Sequence, residues 1–141
     1  MTNACKWPFN ATLIAIAAIA AASIGNGAAA PAVAQTASLA GSWNGGGRII
    51  FPSGDSERVR CRAAFRQVAT RTFSMRAVCA TQATRIAQTA QVRRVSASSY
   101  TGQFVNREND ISGTIDITVR GKRLMASLSG GGGRAIMTLK K

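Results

Sequence analysis

The feature that most constrains this chain is the alternation of apolar and polar residues past Leu39. In Ile111–Arg120, Ile111, Gly113, Ile115, Ile117 and Val119 fall on one side, and Ser112, Thr114, Asp116, Thr118 and Arg120 on the other. A period of two belongs to an extended chain, whose successive side chains leave opposite faces; a helix would repeat near 3.6. Residues 59–66 alternate in the same way, with Val59, Cys61, Ala63 and Phe65 against Arg58, Arg60, Arg62 and Arg66. In 72–80 the shared face is Phe73, Met75, Ala77 and Cys79. Weaker alternation marks 43–51, 85–95, 100–106, 123–128 and 134–140, with turn-forming residues between all of these runs. The reading is eight strands and no sustained helix.

Short connections make consecutive strands antiparallel neighbours. Eight strands in meander order close into an up-and-down barrel, which removes exposed edges. A two-sheet β-sandwich is the alternative arrangement. The polar faces carry arginine stripes, which cannot be held cheaply against lipid. The expectation is therefore a soluble, all-β, antiparallel eight-stranded barrel with a filled interior.

The residues before Leu39 have a different character. Residues 1–34 hold one charged residue, Lys6, followed by an Ala/Ile/Leu run over 11–24, a Gly25-Asn26-Gly27 breaker and an Ala32-Val33-Ala34 ending. That is the plan of a signal-peptide helix with its cleavage site, and the run is shorter than the ~20 residues a spanning helix needs. The expected organisation is a signal peptide at 1–34, a linker at 35–39 and one domain at 40–141, located in the periplasm or secreted. Removing the first 34 residues takes away one cation and leaves 17 Lys and Arg against five acids, a net +12.

Cys5 would leave with the signal, so Cys61 and Cys79 remain. An exported chain with two cysteines pairs them most simply as a disulfide. A metal site is poorly served, because there is no His, and no C-x-x-C suggests redox chemistry. With Cys61 opposite Cys79 on neighbouring strands, Ala63 meets Ala77 and Phe65 meets Met75, leaving 68–72 as the connecting loop.

Leu39-Ala40-Gly41-Ser42-Trp43 opens the first strand. A Gly-x-Trp at this place resembles the start of small calycin-type exported barrels: lipocalins, avidins and bacterial metalloprotease inhibitors. The resemblance implies that Trp43 plugs the closed end of the barrel. It also implies a cation from the end of the last strand over the indole, for which the matching residue is Lys140. Avidin-like biotin sites use further Trp residues that this domain lacks, and the five residues of 35–39 make a poor inhibitory trunk.

Catalysis finds little support. Without His there is no Ser-His or Cys-His pair. Asp55 with Glu57, and Glu108 with Asp110, each fall in an expected turn or strand end, flanked by Arg58 and Arg107, and turn chemistry explains them most simply. Gly45-Gly46-Gly47 and Gly130 to Gly133 lack the Lys-Ser/Thr and the helix of a phosphate loop. The first run is expected to permit a bulge or sharp coil, the second to make a flexible hairpin loop. The chain is thus read as neither an enzyme nor a cofactor binder.

The arginines are the unusual feature. Arg58, Arg60, Arg62 and Arg66 line one strand face, and Arg76 joins them if the cysteines pair, with Arg85 and Arg93 as extensions. Guanidinium suits bidentate contact with carboxylate, phosphate or sulfate. The plainer alternative is a charged face that keeps a sticky barrel dispersed. Aromatics are few and lie mostly on core faces, which argues against a stacking platform for nucleic acid. Two functions follow: a binding module for an anionic cell-envelope polymer or lipid head group, or a calycin-like small-ligand binder or protease inhibitor acting through the barrel's open end.

Overall fold

The computed structural model describes residues 27, 29, 30 and 38–141, and the chain divides into two units, Met1–Val33 and Ala34–Lys141. The expected signal helix and cleavage site lie outside the described residues. All eight strands belong to the second unit. They are β1 (Gly41–Ile50), β2 (Ser56–Ala69), β3 (Thr72–Ala80), β4 (Arg85–Arg94), β5 (Ser99–Asn106), β6 (Ile111–Arg120), β7 (Arg123–Gly130) and β8 (Gly133–Lys140).

The strands pair in chain order, every pair antiparallel, and β1 closes the circuit by pairing with both β2 and β8. This is the expected up-and-down barrel; a sandwich would leave edges, and here no strand is without two neighbours. Alternation produces the closure directly. Val59, Cys61, Ala63 and Phe65 of β2 are buried inside, as are Ile115, Ile117 and Val119 of β6 and Leu124, Ala126 and Leu128 of β7. A one-residue slip in any strand would turn that whole set outward, so the pattern fixes the register as well as the fold.

The cysteines meet as expected. Cys61 lies opposite Cys79, with Ala63 opposite Ala77 and Phe65 opposite Met75, and the two sulfurs are bonded. The loop at 68–72 is a correction. β2 runs on to Ala69, the register shifts between Gln67 and Ala69, and the turn shrinks to Thr70 and Arg71. The odd-length connection is absorbed as one unpaired residue, as a bulge does.

Of the bulge or sharp coil expected at Gly45-Gly46-Gly47, no bulge occurs: β1 pairs without a register shift on both sides. Instead the neighbouring backbone comes close: a Cβ at Gly47 would sit 1.9 Å from the Ile136 carbonyl oxygen, and one at Gly45 2.2 Å from that of Thr138. The run permits tight coiling of β1 against β8, which no side chain would allow. At the other run, Gly130 pairs with Gly133, and only Gly131 and Gly132 form the turn, at φ 61° and 78°. Positive φ at both central residues is the type I′ hairpin requirement, so this turn is tight rather than a flexible loop.

One end of the barrel is shut by Trp43. Its indole is fully buried and its Nε1–H donates to the Leu39 carbonyl oxygen at 2.8 Å. Leu39, assigned to the linker by sequence, is itself fully buried and belongs to the plug. The cation over the indole is Lys141, with Nζ 5.3 Å from the ring centroid, and not Lys140. Lys140 shares the exposed face of β8 with Arg134, Ile136 and Thr138, so only the next residue can turn across the end. Lys141 Nζ also donates to the Ala40 carbonyl oxygen. Beside the plug, Tyr100 is buried edge-on to Phe73, with centroids 5.4 Å apart, and Arg94 donates to its hydroxyl from Nη2 at 2.8 Å.

Candidate ligand-binding cavity

The opposite end is open. The connections β1–β2, β3–β4, β5–β6 and β7–β8 surround it, and beneath them lies a cavity of about 270 Å³. The filled interior expected from sequence is therefore found only in the lower half. There Phe65, Met75, Tyr100, Ile117 and Leu124 belong with Trp43 to one buried cluster, and the void beside Cys61, Phe65, Ala77 and Ala126 is only about 20 Å³. In the upper half the inward positions of β8 and of the β7–β8 hairpin are Gly130, Gly133 and Ala135, which supply almost no volume.

The cavity floor is apolar: Val59, Cys79, Phe104, Leu128 and Met137 contribute. The disulfide crosses this level, and Met137 Sδ lies 3.1 Å from Cys61 Sγ. Ile49, Ile86 and Ile111 form the walls, with Phe51 and Pro52 at the rim. Water gains little from such a lining, and an apolar ligand releases it on entry.

Polar residues interrupt the apolar surface, among them Thr81, Thr84 and Asn109 in the connections and Arg134 near the start of β8. Glu57 of β2, Gln88 of β4 and Asn106 of β5 all line the cavity. Glu57, expected in a turn or at a strand end, is the second residue of β2. It lies opposite Ile49, two residues before Val59 and therefore on the same inner face. The signal was available, because the period that carries Val59, Cys61 and Ala63 inward carries Glu57 with them. Asp55 does sit in the turn, where its carboxylate accepts from Ser53 Oγ at 2.9 Å. Asn106 is 5% exposed and is the only buried polar residue among those described; its Oδ1 accepts from the Asn109 backbone N–H at 3.2 Å.

The rim is set by local hydrogen bonds. Phe51 N–H donates to the Asp55 carbonyl oxygen at 2.9 Å. Across the mouth, the Thr81 hydroxyl accepts from the N–H groups of Ala83 and Thr84 at 3.2 and 3.1 Å. Loops held this way keep the mouth in one shape, which lowers the ordering cost of binding.

The predicted arginine patch lies outside the barrel wall. Arg58, Arg60, Arg62, Arg66 and Arg76 are all exposed on the outer face of β2 and β3. Arg76 stands opposite Ala64, between Arg62 and Arg66 along the neighbouring strand. Arg48, which sequence reasoning did not place, joins the patch opposite Arg58. Arg85 and Arg93 sit at the two ends of β4 rather than in the patch centre. Trp43 belongs to neither feature and is far from the mouth, at the closed end.

The sequence matches no protein-family model and no curated protein. Solved structures do resemble the fold. A redesigned β-barrel, mFAP0, bound to DFHBI superposes with a TM-score of 0.64 at 14% identity, over 73% of this chain and 98% of that one. The redesigned barrel mFAP1, also bound to DFHBI, gives 0.63 at 13% identity, over 73% and 94%. A fluorescence-activating β-barrel designed de novo gives 0.56 at 11% identity, over 73% and 93%. At such identities the likeness is one of fold, and the calycin resemblance likewise rests on the barrel.

Proposed function

We propose that this protein is a small-ligand-binding barrel that takes a compact, largely apolar molecule through its open end, without turnover. The observation that carries the reading is the cavity of about 270 Å³ beneath the four mouth connections. An apolar cavity of about 150 Å³ already suffices for benzene, so a bicyclic aromatic or a short branched chain fits this one. The similar barrels bound to DFHBI support the reading, since they share this architecture. An oxidised Cys61–Cys79 pair fits an exported protein, in the periplasm or secreted.

The test is fluorescence titration with N-phenylnaphthylamine, a neutral dye that brightens in apolar surroundings. Saturable binding is expected, unchanged by raising salt. The substitution Ala135→Phe, which fills the upper half from β8, should weaken it by at least about ten-fold, the equivalent of 1.4 kcal/mol. Equal binding by the wild type and Ala135→Phe would remove the proposal.

A second reading rests on a separate observation, the exposed cluster of Arg48, Arg58, Arg60, Arg62, Arg66 and Arg76. Along β2 the alternate arginines stand about 7 Å apart, a spacing suited to a linear polyanion such as an acidic envelope polymer. Binding of this kind weakens steeply as salt rises. Heparin-column retention is expected to fall sharply in Arg60→Glu/Arg62→Glu, with dye binding in the cavity unchanged. Unaltered retention would leave these arginines as solubilising charge.

A further inference from the structure

The cavity's polar lining carries chemical information beyond its size. Glu57 is the only carboxylate among its lining residues, and no hydrogen bond or ion pair engages it among the described residues. Asn106 is 5% exposed, and its Oδ1 is already committed to Asn109 N–H. Its amide nitrogen has no protein partner among the described residues, yet no buried side-chain nitrogen or oxygen is sealed off without one. The Asn106 Nδ2 donor is therefore open to the cavity. A buried donor without a partner is costly, which makes it a strong selector for whatever fills the space. Gln88 lines the same cavity and offers both a donor and an acceptor.

We propose that the cavity selects a ligand with an apolar body and an uncharged hydroxyl or amide end, which donates to Glu57 and accepts from Asn106 Nδ2. This rests on the small-ligand reading above and adds the chemistry of the ligand's polar end. The apolar body fills the floor formed by Val59, Phe104, Leu128 and Met137. A carboxylate end facing Glu57 is disfavoured by like charge, and Arg134, the one cation in the lining, lies on the outward face of β8. A purely hydrocarbon ligand would leave the Asn106 donor and the Glu57 oxygens dehydrated and unpaired.

The test uses three probes on one skeleton: methylnaphthalene, naphthalenemethanol and naphthoate, titrated by calorimetry at high salt to suppress binding at the outer arginines. Naphthalenemethanol should bind about ten-fold more tightly than either of the others. Glu57→Leu should bring the alcohol down to the level of methylnaphthalene. Glu57→Gln, which keeps an acceptor but no charge, should retain the alcohol and raise naphthoate about ten-fold. Asn106→Asp keeps an acceptor for the Asn109 N–H and replaces the amide donor with a carboxylate oxygen, so the alcohol should weaken several-fold. Equal binding of alcohol and hydrocarbon, unmoved by these variants, overturns the head-group assignment and leaves the cavity reading standing. If none of the probes binds, both are overturned.

Discussion

Replacing Trp43 by Ala is expected to lower the unfolding free energy by about 3–5 kcal/mol, the range for truncating a buried large aromatic. The upper part of that range applies here, because two losses combine. The closed end of the barrel opens, and the carbonyl of Leu39, a residue with 0% exposure, loses its indole donor. An unsatisfied buried acceptor adds about 1–3 kcal/mol. A domain of this size is stable by only about 5–15 kcal/mol, so the variant should melt far below the wild type or be only partly folded. Trp43→Phe keeps most of the plug and should lose markedly less. Guanidinium unfolding followed by far-ultraviolet circular dichroism reads both. A loss below about 1 kcal/mol in Trp43→Ala would mean the indole does not plug the barrel.

The second large effect is expected from the disulfide. Cys61 and Cys79 are 18 residues apart, and closing a loop of that length contributes about 3 kcal/mol in the chain-entropy description. The double variant Cys61→Ala/Cys79→Ala should therefore melt more than about 10 °C lower. The bond also lies at the cavity floor, between the filled and empty halves, so its loss should loosen dye binding as well as the fold. Thermal melting of the oxidised protein, the reduced protein and the double variant checks this. Equal melting temperatures for all three would show that β2 and β3 gain nothing from the link.

Much of this architecture was legible in the residues. Period-two alternation placed all eight strands, because burial on one face of a sheet leaves no other periodicity. The register of β2 against β3 followed from the two cysteines, since a bond between opposite inward positions fixes every other pair on those strands. The details that escaped are those set by neighbours remote in sequence. The bulge before Ala69 depends on how β2 and β3 end together. The straight pairing of Gly45 to Gly47 depends on the approach of β8, and the cation on Trp43 on which C-terminal lysine can turn inward across the barrel end.

The cavity was the largest feature missed. Alternation says which residues point inward and not whether they meet. Gly130, Gly133 and Ala135 read as ordinary inward positions, and only closure of the barrel shows that together they leave space unfilled. Glu57 reads as a turn or strand-end residue beside Asp55 and Arg58, and only parity with Val59 shows that it points inward. The arginine patch shows the opposite case. Its exposure was fully readable from alternation, because outward positions need no partner to be placed, while its partner is not encoded in the pattern.

We propose that the cavity of this open-ended barrel, rather than its charged wall, receives the ligand. Amide chemical-shift mapping on isotope-labelled protein titrated with N-phenylnaphthylamine tests this most directly. The prediction is that shifts concentrate at Ile49, Val59, Ile86, Phe104, Leu128 and Met137 around the mouth and floor, and leave the Trp43 end, with Arg66 and Arg76, unmoved. Shifts confined to the arginine face, or absent from the mouth at saturation, would contradict it.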